Sequence, residues 1–321
     1  MSEKPDKAIV KELEQLIDKS IPSVGSVSRD TVGALFEGEK LVKLGLYRCG
    51  LTTLPESFSK LSSLQSLYLV GNQLKALPAS FGQLRSLQAL MLDINPLTTL
   101  PASFGELKSL QTLWIKQNQL TALPASFGGL IELKELYLNE GQLTTLPDSI
   151  SGLKSLNLLD LTSNKLTALP ESFGELKSLQ KLYLNSNQLT TLPQSFGHLT
   201  SLKILWMTAN QITTLPESFG ALTSLQTLLL AKNQIRTFPA SFMKLPAVVN
   251  IDLRDNQVAA LPESFGNLTS LQVLGLSGNP LKTLPESFSH LLNLQHLDIF
   301  GKSILDAQGT KIMDRLMKKK Y

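Results

Sequence analysis

Residues 179–201 read LQKLYLNSNQLTTLPQSFGHLTS, and the same 23-residue pattern recurs along most of the chain. As a consensus the unit is L-x-x-L-x-L-x-x-N-x-L-x-x-L-P-x-S-F-x-x-L-x-S. Eleven copies follow one another from Leu41 to Asn293 without an insertion or a deletion. A fixed period of this length indicates a repeat architecture, in which each unit buries its apolar face against its neighbours. We number the positions within the unit 1 to 23.

The first half of the unit predicts a strand followed by a turn. Positions 4 and 6 are apolar in nearly every copy, as in Leu182 and Leu184, which is the two-residue period of a strand with one buried face. Position 9 is usually asparagine, whose amide can satisfy backbone groups where the chain leaves the strand. These residues are Asn72, Asn95, Asn118, Asn164, Asn187, Asn210, Asn233, Asn256 and Asn279.

The second half of the unit predicts a short turn that cannot extend the sheet. Proline fills position 15 in all eleven units, from Pro55 to Pro285, and it lacks the donor that a sheet requires. Serine at position 17 is expected to bond neighbouring backbone, and position 18 is phenylalanine in ten copies and Ile150 in the other. The sequence therefore predicts an α/β solenoid, a curved horseshoe with a parallel concave sheet and short helical turns on the convex side.

The chain divides into three predicted segments. Residues 1–40 are predicted to form an N-terminal cap, with an amphipathic helix over 6–18 and a strand over 31–36. Residues 41–293 are the eleven repeats. Residues 294–321 are a partial twelfth repeat with a C-terminal helical cap. A partner-binding role for the N-terminal helix and a membrane or nucleic-acid role for Lys318, Lys319 and Lys320 remain alternatives. Gly141 stands at position 9 of the fifth unit, where we expect a local irregularity.

Charge and cysteine content favour a cytoplasmic protein. The net charge of +4 is small for 321 residues, which argues against nucleic acid as a partner. No apolar run has the length of a membrane span, and the charged N-terminal segment lacks the apolar core of a signal peptide. The single cysteine, Cys49, cannot form a disulfide within the chain, and a buried thiol in the position 9 slot is favoured over a reactive one.

No catalytic constellation is visible in the sequence. The three histidines, His198, His290 and His296, share no metal-ligand spacing with acids or with the cysteine. Neither a phosphate-binding loop nor a nucleophile elbow occurs. We therefore predict no enzyme activity, no metal and no cofactor.

Position 5 concentrates the aromatic residues of the chain. Aromatic residues make up 6% of the sequence, so fewer than one would be expected among twelve positions, yet both tryptophans and three of the five tyrosines lie here. In order, this column reads Gly45, Tyr68, Met91, Trp114, Tyr137, Asp160, Tyr183, Trp206, Leu229, Asp252, Gly275 and Asp298. Parallel strands lie about 4.8 Å apart, so these side chains are expected to form one ridge exposed on the concave sheet.

Polar positions surround this ridge, which is the layout of a protein interface. The predicted contact set is Tyr68, Met91, Trp114, Lys116, Tyr137, Asn139, Leu158, Asp160, Tyr183, Asn185, Ile204, Trp206, Leu229 and Arg254. The charges change sign along the face, from Arg48 and Lys116 to Asp252 and Asp298, which favours a protein partner with a patterned surface over a uniform polyanion. A ladder of rings that only stabilises the sheet is the alternative.

The 23-residue LPxSFxxLxSLxxLxLxxNxLxxLP pattern resembles the intracellular Ras-group leucine-rich repeats, over roughly residues 41–300. That group includes Ras-scaffold and Ras-suppressor proteins, their plant relatives and the repeat regions of Roco proteins. The resemblance implies that the concave face binds a protein, often within small-GTPase signalling, with the position 5 and 7 residues as the contact set. We predict a monomeric, non-enzymatic scaffold whose partner is a protein such as a small GTPase or its regulator. A self-associating structural repeat protein and a secreted effector that binds host proteins remain alternative functions.

Overall fold

A computed structural model describes residues 6–299 and 305–320 of the chain. It contains two compact units, residues 1–165 and residues 166–321, which are described separately. The predicted sheet and turns are present in both, with 3-10 helices as the turns. The helices are α1 (Asp6–Ile17) and α2 (Ala307–Lys320), close to the predicted cap helices.

In the first unit, the strands are β1 (Val32–Glu37), β2 (Lys40–Leu46), β3 (Ser66–Tyr68), β4 (Ala89–Met91), β5 (Thr112–Trp114), β6 (Glu135–Tyr137) and β7 (Leu158–Asp160). Strand β1 pairs with β2 in antiparallel fashion, and β2 to β7 pair in parallel in chain order. The 3-10 turns between them are Glu56–Lys60, Phe81–Gln83, Ala102–Glu106, Ala125–Gly129 and Asp148–Gly152. Helix α1 packs on β2 and on the first of these turns, so it covers the first repeat.

In the second unit, the strands are β8 (Lys181–Tyr183), β9 (Ile204–Trp206), β10 (Thr227–Leu229), β11 (Asn250–Asp252), β12 (Val273–Gly275) and β13 (His296–Asp298), all parallel and in chain order. The 3-10 turns are Glu171–Glu175, Gln194–His198, Glu217–Ala221, Ala240–Lys244, Glu263–Asn267 and Glu286–His290. Helix α2 packs on the last turn, where Arg315 forms a 2.7 Å ion pair with Glu286.

The core of each unit is built from the same positions of every repeat. Leucines at positions 4 and 6 are buried, and the phenylalanines at position 18 stack behind them with ring centroids 5.9–6.4 Å apart. The serine hydroxyl at position 17 bonds a carbonyl of the preceding repeat in places, as from Ser103 to Ala79 at 2.6 Å. In five units, however, this hydroxyl is buried without a partner among the described residues, so the predicted bond is not general.

Position 8 adopts a left-handed backbone conformation in all eleven units, although only Gly71 and Gly278 are glycines there. Even the β-branched Ile94 has a φ of 57°. Such a conformation costs roughly 1 kcal/mol or more for a non-glycine residue, so the surrounding structure must hold it. In the units that have asparagine at position 9, its side chain bonds the backbone around this turn, as shown by Asn210, which accepts the N–H of Leu189 at 3.1 Å and donates to the carbonyl of Met207 at 3.1 Å.

The expected irregularity of the fifth unit is visible in its hydrogen bonds. Gly141 has no amide side chain, and its own N–H donates instead to the carbonyl of Ser163 at 3.1 Å. In the preceding unit, Asn118 Oδ1 is buried without a partner among the described residues. The position 9 ladder is therefore disturbed around Gly141.

Candidate functional site

Strand register aligns position 5 within each unit. In the first unit, Tyr68, Met91, Trp114 and Tyr137 lie opposite one another on β3 to β6, and we call these four residues the first cluster. In the second unit, Tyr183, Trp206 and Leu229 are aligned on β8 to β10, and with Ile204 they form the second cluster. Both clusters lie on the sheet face opposite the buried leucines, which we call the open face.

The second cluster presents an aromatic pair to solvent. The ring of Tyr183 meets that of Trp206 edge to face, with centroids 4.8 Å apart and an interplanar angle of 61°. Trp206 is 37% exposed, while Tyr183, Ile204 and Leu229 are half-buried. Edge-to-face contact between the two rings is favourable, and Trp206 remains partly exposed to solvent beside Tyr183. The second cluster is therefore a surface on which an apolar group can still pack.

The first cluster is partly covered by the chain itself. Trp114 packs on Tyr137 with centroids 4.8 Å apart, and Lys116 Nζ lies 4.5 Å from the Trp114 centroid. Arg29 reaches the other side from the N-terminal loop, with its guanidinium carbon 5.5 Å from the same ring. The indole N–H of Trp114 is buried without a partner among the described residues.

Arg29 is held on the first cluster by a buried carboxylate. Its Nη2 donates to Asp93 Oδ2 at 3.0 Å, and Asp93, at position 7, is fully buried. Asp93 Oδ1 also accepts the backbone N–H of Lys116 at 2.9 Å. Burial raises the pKa of Asp93, while the Lys116 amide and the cations of Arg29 and Lys116 act in the opposite direction.

The prediction that position 5 is open to water is therefore wrong at Gly45 in the first unit and at Gly275 in the second, since both are buried. Gly45 is buried, because the carbonyl of Thr31 and the side chain of Val27 lie directly over it. Trp114 is covered on one side by Arg29. The physical reason in the first unit is that the N-terminal segment crosses the open face just before β1 begins at Val32, where Thr31 O accepts the N–H of Tyr47 at 3.2 Å.

Several predicted polar contact residues bond the backbone of the strands. Asn185 Oδ1 accepts the N–H of Thr208 at 2.9 Å, and Asp160 Oδ1 accepts the N–H of Thr162 at 3.0 Å. Asn139 contacts Glu140 at 3.4 Å, and Leu158 is half-buried on β7 beside Glu135 on β6. These side chains therefore have a structural role in addition to lying on the open face.

The open face of β11 to β13 is acidic and carries one arginine. Arg254 Nε and Nη2 donate to Asp252 at 2.9 and 2.7 Å, and its Nη1 lies 4.0 Å from Asp298. Hydrogen bonding and the negative charge of Asp252, followed by Asp298 and Asp255, raise the pKa of Arg254. Gly275 lies between the two bonded acids in the strand register, so the stem of Arg254 rests where a side chain would otherwise stand.

The described residues contain neither a metal-ligand group nor a membrane-spanning helix. Across residues 6–299 and 305–320, no three His, Cys, Asp or Glu side chains are grouped so that they could hold a metal ion. Over the same residues, no helix has the length and apolar character needed to span a bilayer.

Sequence-family models match nearly the whole chain. A model described as a leucine-rich repeat region matches residues 23–121 and 125–210, which is more than half of the chain. A second, described as a leucine rich repeat, matches residues 208–258 and 260–304. The chain belongs to the leucine-rich repeat family. No match was found among curated protein sequences.

Solved leucine-rich repeat structures share this fold. A leucine-rich repeat protein of Leptospira interrogans is 34% identical, with a TM-score of 0.68, over 86% of this chain and 76% of that one. The plant peptide hormone receptor RGFR1 in complex with RGF2 is 29% identical, with a TM-score of 0.65, over 83% of this chain and 48% of that one. The ectodomain of the Arabidopsis thaliana receptor kinase GASSHO1/SCHENGEN3, in complex with CASPARIAN STRIP INTEGRITY FACTOR 2, is 27% identical, with a TM-score of 0.74, over 89% and 39%. This chain therefore spans less than half of either plant receptor chain.

Arg29 and Asp93 were missed by sequence reasoning on this leucine-rich repeat protein. Asp93 shares position 7 with the predicted polar rim, and its burial has no signal in the repeat pattern. Arg29 lies in an irregular loop 64 residues away, and no periodicity connects the two. An acid immediately before a left-handed residue, Ile94, is the one local feature that sets this unit apart.

Proposed function

We propose that the protein is a non-enzymatic scaffold that binds a protein partner through the open face of its repeats. The observation that carries this proposal is the Tyr183–Trp206 pair, because tryptophan and tyrosine are enriched at binding hot spots and Trp206 is 37% exposed. Two similar leucine-rich repeat structures were solved in complex with RGF2 and with CASPARIAN STRIP INTEGRITY FACTOR 2, which supports a protein or peptide as the ligand class.

A ladder that only stabilises the sheet accounts less well for the second cluster. Ring packing between Tyr183 and Trp206 does not require the adjacent Ile204 and Leu229 to be apolar on the same face. Together these four side chains form a continuous apolar surface over three strands. A surface of this kind on a water-soluble chain usually marks an interaction site.

For the partner, we propose a small GTPase or one of its regulators, acting on a monomeric scaffold in the cytoplasm. Support comes from the resemblance of the LPxSF unit to Ras-group repeats and from the mixed charges around the apolar surface. Multi-angle light scattering over a range of concentrations tests the monomer. Fractionation of cells that express the full chain tests the location.

The binding proposal is tested by affinity capture with three forms of the full chain, followed by mass spectrometry. Trp206→Ala is expected to lose the partners of the wild type, because hot-spot truncation costs about 2 kcal/mol or more, roughly thirtyfold in affinity. Leu292→Ala is the matched control, since Leu292 is 57% exposed but lies beside a 3-10 turn, away from the sheet. Capture in the presence of GDP and of a non-hydrolysable GTP analogue tests the proposed partner class. If Trp206→Ala retains every partner, the second cluster is structural and the proposal is wrong.

A further inference from the structure

The acidic strands beside the second cluster suggest what the partner must look like. The side chain at position 5 changes from the apolar Leu229 on β10 to the acidic Asp252 on β11. Position 5 is then Gly275 on β12 and Asp298 on β13. An apolar surface therefore meets an acidic one within a single strand step on the same open face. A partner that covers both needs an apolar group and a positive charge at a defined distance.

The acidic surface keeps an excess of negative charge despite Arg254. Its guanidinium is held by Asp252 in a bidentate pair, while Asp298 is 4.0 Å away and 46% exposed. Asp255 is also exposed and points from the turn that follows β11. Asp252, Asp255 and Asp298 carry three negative charges against the one positive charge of Arg254.

Gly275 has no side chain, and the stem of Arg254 occupies that space at the centre of this surface. A Cβ built on Gly275 would lie 2.8 Å from Asp252 Oδ1 and 3.0 Å from Arg254 Cγ, so any side chain there would displace both. Gly275, Asp252, Arg254 and Asp298 line the open side of a cavity of about 810 Å³. Arg254 already shows that an arginine stem can lie flat on this glycine with its charged end between two acids.

We propose that the second unit binds an extended peptide segment in which a large apolar or aromatic residue and a lysine or arginine are four residues apart. The apolar residue packs on Trp206, and the basic residue lies at the level of β12, on the solvent side of the Arg254 stem, with its charged end toward Asp298. This inference rests on the proposed function and specifies its ligand.

The spacing follows from strand geometry. Trp206 and Gly275 are three strand steps apart in the parallel register, about 14 Å at about 4.8 Å per step. An extended peptide advances about 3.3 Å per residue, so four residues span that distance. Because side chains alternate along an extended chain, residues four apart also point to the same side.

A random linear peptide library displayed on phage and selected on the full chain tests the motif. Enriched peptides are expected to share an aromatic or large aliphatic residue four positions from a lysine or arginine, in one order or the other. A synthetic copy of the best peptide, with its basic residue moved by one position, is expected to bind at least tenfold more weakly. Enrichment of peptides that lack this spacing, or no enrichment, would overturn the inference.

Charge variants test the acidic half independently. Asp255→Asn with Asp298→Asn removes both excess charges and leaves the Asp252–Arg254 pair intact, and asparagine tolerates the φ of 55° at position 255. Binding of the synthetic peptide should fall about tenfold at low salt and lose most of its salt dependence. Glu217→Gln with Glu263→Gln is the matched control, because it removes two carboxylates on 3-10 turns.

The two proposals fail in distinguishable ways. If Trp206→Ala abolishes peptide binding and the Asp255/Asp298 variant does not weaken it, the basic residue is irrelevant and only this inference is wrong. If Trp206→Ala binds like the wild type, both proposals are wrong. Should the double charge variant unfold, Asp298→Asn alone and the salt dependence of the wild type decide the same question.

Discussion

Replacing Asn233 with alanine is expected to destabilise residues 166–321 by about 3 kcal/mol. The side chain is 7% exposed and bonds three chain segments at once. Its Oδ1 accepts the N–H of Ile212 at 3.0 Å, and its Nδ2 donates to the carbonyls of Met207 and Leu230, each at 2.9 Å. Asn233 therefore ties the turn after one strand to the turn after the preceding strand.

The magnitude follows from which groups lose their partner. The carbonyl of Met207 keeps a bond from Asn210 at 3.1 Å, and that of Leu230 keeps one from Asn256 at 2.9 Å. Loss of these two bonds should cost about 1 kcal/mol each, whereas the buried N–H of Ile212 is left without an acceptor and should cost about 1–3 kcal/mol. These terms sum to about 3–5 kcal/mol, so the ~3 kcal/mol expected above is the lower end, which is still a large part of the stability of an ordinary domain.

Equilibrium urea denaturation of the full chain measures this loss, with Gln234→Ala, at an exposed neighbouring position, as the control. Since stacked repeats can unfold in more than one step, hydrogen exchange of the peptide that contains the Ile212 amide supplies a local reading. Exchange there should accelerate in Asn233→Ala. A destabilisation below about 1 kcal/mol with unchanged exchange would refute the hydrogen-bond reasoning.

Asn233→Asp separates the donor from the acceptor role of this side chain. The new carboxylate can still accept the N–H of Ile212, but it faces the carbonyl oxygens of Met207 and Leu230 without donors. Burial and these oxygens should raise its pKa above about 3.9 in the folded protein. The native state then holds the proton more tightly than the unfolded state, so the destabilisation should be greatest at pH 7 and shrink as the pH falls.

Three further predictions concern other residues. Arg29→Ala should lower the free energy of unfolding by about 2 kcal/mol at pH 7, as measured by urea denaturation, because it removes the guanidinium that is paired with the buried Asp93 carboxylate. This loss should shrink toward pH 4, because the pKa of Asp93 is raised and its carboxyl takes up a proton. Gly197→Ala should cost about 1–3 kcal/mol, since the added Cβ would overlap the carbonyl oxygen of Ser218 in the next repeat. Cys49 should react with iodoacetamide more slowly than free cysteine at pH 8, because burial raises the pKa of its thiol.

Each of these has an internal control. Arg85→Ala removes an exposed arginine beside a 3-10 turn, so a pH-dependent loss equal to that of Arg29→Ala would contradict the role of Asp93. Gly25→Ala adds a Cβ with nothing within 4 Å, so it should be neutral where Gly197→Ala is not. Cys49 labelling in urea gives the rate for the unfolded chain, and equal rates in the folded protein would contradict the burial argument.

The sequence was enough to predict the repeat fold because every unit repeats the same physical requirement. Leu182 and Leu184 are buried for the same reason as their counterparts in the other units, and Pro193 ends the extended segment as the other position 15 prolines do. A wrong assignment in one unit would have been corrected by comparison with the other ten units. The same redundancy made the alignment of position 5 predictable, and with it the place of Trp206 on the open face.

What could not be predicted depends on contacts that occur once. The left-handed backbone of Ile94 could not be predicted, because isoleucine rarely adopts this conformation. It is part of a turn in which the neighbouring Asn95 accepts the N–H of Leu74. The bond from Arg29 to Asp93 joins a loop to a repeat position across 64 residues. Periodicity carries no information about such a pair, so the coverage of Trp114 was beyond sequence reasoning.

Two departures from the repeat consensus, Asp93 and Gly275, give the open face features that the other repeats lack. Asp93 places a buried acid at position 7, and Gly275 removes the side chain of position 5. In both places an arginine of the chain lies back on the open face, Arg29 in one and Arg254 in the other. A nearby cation stabilises a carboxylate on a sheet face, whether that cation belongs to the same chain or to a partner. Arg29 is bound to a fully buried acid, so displacing it would leave that acid without its ion pair. Arg254 is paired closely with Asp252, while Asp298 lies 4.0 Å from it with a side chain that is 46% exposed, and Asp255 is exposed. The first arrangement therefore favours a closed surface and the second an open one, and a partner should engage the second cluster first.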